Sequence, residues 1–430
     1  MNSQPPQVSV IIPTHNRSHL LHQTLKALYS QRFQAETMEV VVVADGCTDD
    51  TLPMLNVFNN EGSFSLVVTE TKQLGPGAAR NAGANLARGG LLIFLDDDIQ
   101  ASPQLVEAHY QSHQPGLDRV VIGYLPPVLQ TQSGLFKVEL HGWWEGMFSP
   151  MRHPGHRFTF TDLLSGNFSL RADLFQDLGG FNPELKCHED YEFGYRLIQK
   201  GVTFLYNEDA VGRHLDSTTL EGSLQRKYQE GIADVMLGRL HPELKSKLLM
   251  SRLMQYSRLP SFVLRYFAFL WPRGGGKIVD WLHIALRICD RFKFRHLWLR
   301  VLYGIMNFHY WHGVAQELQS MGELVTFLEN ASDNLSADEA DIDLAIGIKA
   351  AAQRLDELRP QGLRIYYGEH LVGMLPLQPG YERWRGAHLL PVLTSKLAAP
   401  LLRTLAVSGA LQDDRLSAKI LREIPQSEYE

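Results

Sequence analysis

Three consecutive carboxylates, Asp96, Asp97 and Asp98, directly follow the apolar run LLIFL at residues 91–95. Two carboxylates about 4 Å apart repel each other by roughly 1 kcal/mol in water and about 4 kcal/mol at an effective dielectric constant of 20. A divalent cation such as Mg²⁺ is bound by one or two carboxylates together with substrate phosphates, and it would relieve this repulsion. The cluster therefore indicates either a metal and phosphate site or a solvated acidic turn.

A second charged group, HEDYEFGYRL at residues 188–197, begins a predicted helix. Its first carboxylates, Glu189 and Asp190, would stabilise the N-terminus of that helix through the helix dipole. Alternatively, one of them could act as a general base at the rim of a cleft. His214 follows another apolar run, and it is either a structural residue or a metal ligand.

Three turns supply further polar groups. PTHNR (13–17) favours a helix cap, and DGCTDDT (45–51) is either a turn or a carboxylate that binds a base or ribose. GPGAARNAG (75–83) is either a flexible loop or an anion site, in which helix N-terminal amides and Arg80 would bind phosphate. The last motif matches neither GxGxxG nor a Walker loop, which argues against a dinucleotide fold or an NTPase.

The elements that must position these groups alternate between strands and helices, which predicts an α/β fold with a mostly parallel sheet. Thr14, Asp45 and Asp96 each lie just beyond the carboxyl end of a predicted strand, where open α/β sheets bind ligands. The expected strands are 8–12, 40–43, 64–69 and 91–95, and the expected helices are 20–28 and 78–88.

The bulk composition is that of an ordinary globular protein. The 430 residues are 44% hydrophobic with a formal net charge of −6, which gives no indication of nucleic-acid binding. Three separated cysteines suit a reducing compartment. We find neither a signal peptide nor a run of about 18 apolar residues, so we expect a cytoplasmic protein, with peripheral attachment to the inner face of a membrane as an alternative.

The chain is predicted to contain three regions. Residues 1–219 form the α/β domain, and residues 346–430 form a small α+β module with a hairpin over 363–377. Residues 220–335 are helical, with aromatic and basic residues interleaved. Two interpretations of this region stay open: a subdomain on the membrane surface or on the acceptor side, or a helical subdomain whose arginines are solvated.

Taken together, the motifs closely resemble the inverting, nucleotide-sugar-dependent glycosyltransferases of family 2, which have the GT-A fold. The resemblance covers roughly residues 8–216, and the motifs occur in the family's order: VSVIIPTHNR, DGCTDDT, GPGAARNAG, DDD, GNFSLR, GGF and HEDYEFGYRL. It implies a nucleotide-sugar donor, with UDP expected, and a hydroxyl acceptor on a glycan or a lipid-linked glycan, as in polysaccharide biosynthesis. It also implies a Mg²⁺ or Mn²⁺ cofactor.

The resemblance also assigns roles to individual residues. In the DxD-like cluster, Asp98 would bind the metal, with His214 as its second ligand. Asp45 would bind the base and Asp96 the ribose. The side chains implied to bind the nucleotide are Thr14, Arg17, Asp45, Arg80, Asp96 and Asp97.

Asp190 would be the catalytic base and Glu189 would position the acceptor, although exchanging these two roles is compatible with the chemistry. Gly166 and Asn167 would border the sugar and acceptor pockets. Trp143 and Trp144 are candidates either for stacking on an acceptor sugar or for core packing.

Other functions would leave different signatures. A non-catalytic nucleotide-sugar-binding or assembly protein of the same fold would lack the full set of site residues. A sugar nucleotidyltransferase would need a basic, glycine-rich first loop, which PTHNR is not. A glycoside hydrolase would use two facing carboxylates and leave GPGAARN unexplained. For residues 346–430 two interpretations stay open: the module packs on the main domain, or it mediates a homodimer.

Overall fold

The computed structural model describes residues 5–34, 37–58, 64–114, 116–128, 134–255, 259–329 and 338–412. The chain divides into two units, one formed by Met1–Arg152 with Thr159–Asp333 and the other by His153–Phe158 with Asn334–Glu430. The predicted boundary at residue 335 and the end of the third region beyond residue 412 lie outside the described residues. The three-region division stays a prediction.

The first unit contains the large sheet and its helices. Its described strands are β1 (Val8–Thr14), β2 (Met38–Asp45), β3 (Ser65–Thr71), β4 (Leu91–Leu95), β5 (Ile99–Ala101), β6 (Arg119–Tyr124), β7 (Asn167–Arg171) and β8 (Thr203–His214). The helices that alternate with them are α1 (Ser18–Tyr29), α2 (Thr51–Phe58), α3 (Pro76–Leu86), α4 (Leu105–Ser112), α5 (Leu135–Phe148), α6 (Ala172–Asp177) and α7 (Glu189–Lys200). Short 3₁₀ helices cover Ser149–Arg152 and Phe160–Asp162.

The sheet order is β3-β2-β1-β4-β7-β6-β8-β5. The strands β3, β2, β1 and β4 run parallel to their neighbours, as do β6 and β8, whereas β7 is antiparallel to both β4 and β6. Every residue of β2 and β4 is buried, because helices cover both faces of the sheet. The predicted α/β class, with a mostly parallel sheet flanked by helices, is therefore confirmed.

The order of the strands explains why the polar residues meet. β1 lies between β2 and β4, and all three are parallel, so their carboxyl ends share one edge of the sheet. The chain leaves β1 for β2 on one side and later returns to β4 on the other side. This reversal is the kind of switch point at which α/β sheets form ligand crevices.

A helical layer completes the first unit. It comprises α8 (Leu220–Leu240), a 3₁₀ helix at Pro242–Lys247, α9 (Leu249–Gln255), α10 (Leu259–Leu270), α11 (Pro272–Arg291), α12 (Arg295–Glu317) and α13 (Met321–Glu329). α8 packs along α12, and α10 and α11 also pack on α12. In the described part of the chain, no single helix is long and apolar enough to cross a membrane. One bent pair in the second unit, Gly386–Thr394 with Ala398–Val407, meets the length and composition requirement together, with a bend of 83°.

The contact between α8 and α12 depends on two glycines. A Cβ added at Gly313 would overlap the carbonyl oxygen of Tyr228, and one added at Gly231 would overlap that of Tyr310. The two backbones therefore approach more closely than any side chain permits.

We predict that Gly313→Ala lowers the free energy of unfolding by about 2–3 kcal/mol, because overpacking forces these helices apart. The matched control is Gly142→Ala in α5, where an added Cβ meets no atom within 4 Å. That control should be neutral or stabilise the protein by up to about 1 kcal/mol through helix propensity. Urea denaturation of both variants tests the difference, and equal stability of the two would contradict the close helix contact.

The second unit is small and has its own core. It contains β9 (Glu339–Asp343), α14 (Ile348–Leu358), β10 (Gly362–Tyr367), β11 (His370–Leu375), α15 (Gly386–Thr394) and α16 (Ala398–Val407), with 3₁₀ helices at Leu344–Ile346 and Ala410–Gln412. The sheet order is β11-β10-β9. β10 and β11 form the hairpin predicted over residues 363–377, and Ile365, Leu389 and Trp384 are buried in the core beneath it.

Candidate active site

A cavity of about 640 Å³ opens at the edge of the sheet where β1, β2 and β4 end. The start of α3, the start of α7 and the first turns of α8 complete its walls. Most of the residues predicted for the site line this cavity: Thr14, Arg17, Asp45, Arg80, Asp96, Asp97, Trp143, Trp144, Gly166, Glu189 and Asp190. The structure thus brings residues from seven separate stretches of the sequence to one place.

Two arginines pair with the carboxylates of the three-aspartate cluster. Arg80 Nη2 donates a hydrogen bond of 2.6 Å to Asp96 Oδ1. Arg17 Nη1 lies 3.2 Å from Asp97 Oδ1 and 3.1 Å from Asp98 Oδ2, and Thr14 Oγ1 donates to Asp97 Oδ2 at 2.6 Å. Burial raises the pKa of Asp97 to about 6, although Arg17 and the Thr14 hydroxyl oppose the shift. The protein itself therefore compensates the like charges only in part.

Asp98 and His214, the predicted metal ligands, lie side by side below the cavity. Both are buried, and neither is among the described residues that line the cavity. Asp98 Oδ1 lies 3.4 Å from His214 Nε2, and it accepts no hydrogen bond from the residues that the structure describes. Burial alone would lower the pKa of His214, but the Asp98 carboxylate raises it.

This donor set fits a divalent cation in part. Within the described ranges, no three His, Cys, Asp or Glu side chains are grouped to hold a metal. The pair offers one carboxylate oxygen and one imidazole nitrogen, so the remaining ligands must come from a diphosphate and water, as Mg²⁺ sites commonly arrange.

Glu189 and Asp190 begin α7 but have different surroundings. Glu189 is buried and accepts a hydrogen bond of 3.1 Å from Arg80 Nη1, so Arg80 bridges Glu189 and Asp96. Burial and the neighbouring Asp190 carboxylate raise the pKa of Glu189. Asp190 is only half-buried, and it accepts hydrogen bonds from the backbone N–H groups of Tyr191 at 2.9 Å and Ser165 at 3.4 Å. Both carboxylates line the cavity, and Asp190 is the more exposed of the two.

The turn before α7 is held by residues that the sequence analysis missed. His188 adopts a left-handed conformation with φ 59°, and its ring stacks on Tyr191. His188 Nδ1 lies 3.0 Å from Asp234 Oδ1 in α8, and Tyr310 of α12 donates a 2.5 Å hydrogen bond to Asp234 Oδ2. Burial alone would lower the pKa of His188, but Asp234 raises it. The helical layer therefore fixes the position of the adjacent Asp190.

Asp45 organises the glycine-rich loop before α3. Its Oδ1 accepts hydrogen bonds of 2.7 Å from Thr71 Oγ1 and from the backbone N–H of Leu74, and its Oδ2 accepts one of 2.8 Å from the N–H of Gly75. Gly75 has φ 95°, a conformation that favours glycine. The carboxylate thus shapes the cavity wall as well as lining it.

The two tryptophans of α5 form one end of the cavity. Trp143 is 44% exposed and packs edge-on against Trp144, with ring centroids 4.9 Å apart. Trp144 Nε1 donates to Asp216 Oδ2 at 3.0 Å, and its ring meets that of His214 edge-on. Trp144 is therefore fixed by its neighbours, whereas Trp143 presents an open aromatic surface.

The predicted pocket residues Gly166 and Asn167 have different positions. Gly166 lies so near Asp96 that an added Cβ would clash with Asp96 Oδ2. Asn167 is buried and does not line the cavity. Its Nδ2 donates to the Ala210 carbonyl at 2.8 Å, and its Oδ1 accepts a 2.8 Å hydrogen bond from His109 Nε2. These contacts place Asn167 in the core beneath the site.

The contacts of Asn167 predict a pH effect on stability. His109 is fully buried, and burial lowers its pKa to about 4. Its stabilising contribution is therefore present above the ordinary pKa of histidine, near 6.5, and is lost as pH falls through 4. Between those values the free energy of unfolding should fall by about 2–3 kcal/mol more in the wild type than in His109→Gln. Denaturation at both pH values tests this, with exposed His370→Gln as the control. Parallel curves for wild type and His109→Gln would contradict it.

Two cations in the cavity were also missed. Lys186 Nζ donates to the Leu74 carbonyl at 2.5 Å, and the Arg226 side chain from α8 is 65% exposed in the cavity opening. Both lie outside the quoted motifs, and helical periodicity alone does not show which face of α8 meets the cavity.

Comparison with known proteins assigns the class. Residues 9–179 match the model "Glycosyl transferase family 2", so this part of the chain is a family 2 glycosyltransferase domain. The prediction of this family from the motif series is confirmed.

Individual relatives agree with this assignment. The validoxylamine A glucosyltransferase of Streptomyces hygroscopicus subsp. jinggangensis is 32% identical over 281 residues, which cover 57% of this chain and 64% of the relative. The poly(ribitol-phosphate) β-N-acetylglucosaminyltransferase TarS of Staphylococcus aureus is 37% identical over 90 residues, which cover 21% of this chain and 16% of the relative. This chain thus spans less than two thirds of the length of these relatives.

Among solved structures, the mannosyltransferase PcManGT of Pyrobaculum calidifontis, in complex with GDP-Man and Mn²⁺, has a TM-score of 0.45 and 17% sequence identity. The match covers 70% of this chain and 86% of that one. TarS 1-349 of Staphylococcus aureus in complex with UDP-GlcNAc has a TM-score of 0.40 and 20% identity, with 73% and 93% covered.

Proposed function

We propose that this protein transfers a hexosyl group from a nucleotide diphosphate sugar, expected to be a UDP-sugar, to a hydroxyl of a glycan or lipid-linked glycan, with inversion. The observation that carries this proposal is the half-buried Asp190 carboxylate, which faces a cavity built at the ends of three parallel strands of a family 2 domain. Such a cavity has room for a nucleotide and the sugar attached to it.

Asp190 is the proposed general base. Its carboxylate takes the proton from the acceptor hydroxyl while that oxygen forms a bond to the anomeric carbon, and the bond from this carbon to the diphosphate oxygen breaks. A single in-line displacement inverts the configuration. The backbone N–H groups of Tyr191 and Ser165 hold the carboxylate in place, and His188 fixes the turn that carries it.

Glu189 is proposed to have a positioning role. Arg80 neutralises Glu189 and at the same time holds Asp96 of the aspartate cluster, so one guanidinium sets the distance between the base and the donor end of the cavity. Through Arg80, a displacement of the Glu189 carboxylate can be transmitted to the Asp96 carboxylate, and a displacement of Asp96 to Glu189.

The donor end of the cavity is proposed to bind the nucleotide. Thr14, Arg17 and Asp45 line the part of the cavity that faces β1 and β2. The Arg226 side chain, which lines the same cavity, supplies positive charge for the diphosphate. A divalent metal held by Asp98 and His214 would supply Lewis-acid stabilisation of the departing diphosphate.

The acceptor is proposed to bind at the tryptophan end. The exposed face of Trp143 offers a stacking platform for a sugar ring. The relatives named above act on validoxylamine A and on poly(ribitol-phosphate), and these names motivate glucose and N-acetylglucosamine as the first donor sugars to test.

Calorimetric titration with UDP tests the proposal. We expect UDP to bind in the presence of Mn²⁺ and to lose measurable binding with EDTA or in Asp98→Ala. The control Asp50→Ala, which changes an exposed acid after β2, should bind as the wild type does. If UDP fails to bind, GDP and dTDP follow under the same conditions. Failure of all three would overturn the proposed function.

A further inference from the structure

The helical layer carries an apolar surface that its own packing does not use. On α11, Trp281, Ile284 and Ile288 recur at helical spacing along one face and point to solvent. The opposite side of the same helix is already buried, through Val279 and Leu286 among others. α11 is therefore apolar on two sides, although only one of them contributes to the core.

The exposed stripe continues beyond the end of α11. Phe292 and Phe294 stack on each other with ring centroids 5.9 Å apart, and Leu297 follows in the first turn of α12. These residues and the three on α11 are between 47% and 73% exposed. Soluble monomers rarely expose a contiguous apolar patch of this extent unless it binds something. We call these six residues the α11 face.

The charge around the α11 face indicates which kind of partner it could bind. Residues 252–300 contain ten of the chain's Lys and Arg residues and two acids, in a chain whose net charge is −6. Lys277, Arg287, Arg291, Lys293 and Arg295 are all exposed among or beside the apolar residues. Of the two acids, Asp290 lies 2.9 Å from Lys293 Nζ and accepts the backbone N–H of Leu135. Aromatic and aliphatic side chains bordered by cations are the composition of a helix that lies in the headgroup region of an anionic bilayer.

We propose that the α11 face docks on the surface of an anionic lipid bilayer, with α11 lying parallel to the membrane. A helix of 20 residues is about 30 Å long, and the exposed apolar groups extend along its C-terminal half into the α12 turn. The six apolar side chains insert into the bilayer surface while the five cations contact the lipid headgroups, and both contributions stabilise the docked state. This docking does not require the proposed glycosyl transfer.

The position of the α11 face also bears on the cavity. Asp290 binds the backbone at the start of α5, and Tyr303 of α12 donates to Glu139 of α5 at 2.5 Å. The other end of α5 carries Trp143 at the cavity. If the proposed function holds, a membrane-docked enzyme would meet a lipid-linked acceptor at this end of the cavity.

Co-sedimentation of the full chain with vesicles tests the docking. We expect binding to phosphatidylcholine vesicles that contain phosphatidylglycerol, and at least tenfold weaker binding to phosphatidylcholine alone. The variant Trp281→Ser/Ile288→Ser should lower the partition coefficient by about tenfold to a hundredfold. Arg287→Gln/Arg291→Gln should lower it about tenfold and reduce its dependence on salt.

The matched control is Val57→Ser on α2, an exposed apolar residue outside the α11 face. It should bind vesicles as the wild type does, and the unfolding temperature of every variant is recorded to show that the fold is kept. No binding to anionic vesicles would overturn the proposal, as would binding that survives the apolar double substitution. A third outcome is that the protein does not bind vesicles but associates with itself in a concentration-dependent way, and that Trp281→Ser/Ile288→Ser abolishes this association. That result would instead assign the α11 face to contacts between copies of the chain.

Discussion

Asp190→Asn is expected to lower the turnover number for sugar transfer about a thousandfold while leaving UDP affinity within about twofold of the wild type. The amide keeps the shape of the side chain, and its single oxygen can still accept one of the two backbone hydrogen bonds, of which the one from Tyr191 is the shorter. It cannot accept a proton, and general-base catalysis typically contributes about 10²–10⁴ in rate. Release of UDP from UDP-glucose or UDP-N-acetylglucosamine, measured beside calorimetric UDP binding, separates the two effects.

Glu189→Gln is the matched comparison for this experiment. Glu189 is buried against Arg80, so the uncharged glutamine leaves Asp96 as the only one of these two acids that pairs with the Arg80 guanidinium. We therefore expect a smaller loss of rate, about tenfold, together with an altered KM for the acceptor. If Glu189→Gln were the more damaging substitution and Asp190→Asn nearly harmless, the roles of the two carboxylates would be exchanged. If neither changed the rate, the base would lie elsewhere.

Arg80→Met is expected to destabilise the protein by about 3–5 kcal/mol. Arg80 is buried and pairs with both Asp96 and Glu189, and removing one partner of a buried ion pair leaves an uncompensated charge in a poorly solvated site. Methionine retains most of the apolar stem of arginine, so the loss of stability reports on the removed charge rather than on a change in side-chain volume. Urea denaturation at neutral pH measures it.

The control for Arg80→Met is Arg171→Met. Arg171 pairs with Asp118 and Asp173 at the surface, where an ion pair contributes no more than about 1 kcal/mol. The double variant Arg80→Met/Glu189→Gln should recover part of the lost stability, because it removes one of the stranded charges. Equal effects of Arg80→Met and Arg171→Met would contradict the bridging role of Arg80.

Sequence patterns predicted the framework of the site because that framework depends on local properties. Continuous apolar runs ending at Thr14, Asp45 and Asp96 gave the parallel strands, and parallel neighbours necessarily bring their carboxyl ends to one edge. The helix predicted at 78–88 is α3, which spans Pro76–Leu86. Elements with strong patterns were therefore found, with boundaries shifted by about two residues.

The partners of the charged groups could not be predicted in the same way. Arg80 and Glu189 are separated by 109 residues, and the contact between His188 and Asp234 of α8 depends on tertiary packing. The direction of individual side chains could not be predicted from the sequence either. Asp97 lines the cavity, whereas Asp98, the next residue, is buried and does not line it. Asn167 shows the same limit, since nothing in GNFSLR indicates that its amide binds His109.

The contacts from Tyr310 through Asp234 to His188 limit which segments of this chain can be removed or replaced by those of a relative. A fragment that ended at residue 219 would retain every motif that defines the family, yet it would lack the acid that holds the turn before Asp190. Grafting the helical layer of another family member onto this sheet would have the same consequence unless an acid were supplied at the position of Asp234. The smallest piece of this chain that keeps the turn in place extends at least through Tyr310, well beyond the residues that perform the chemistry.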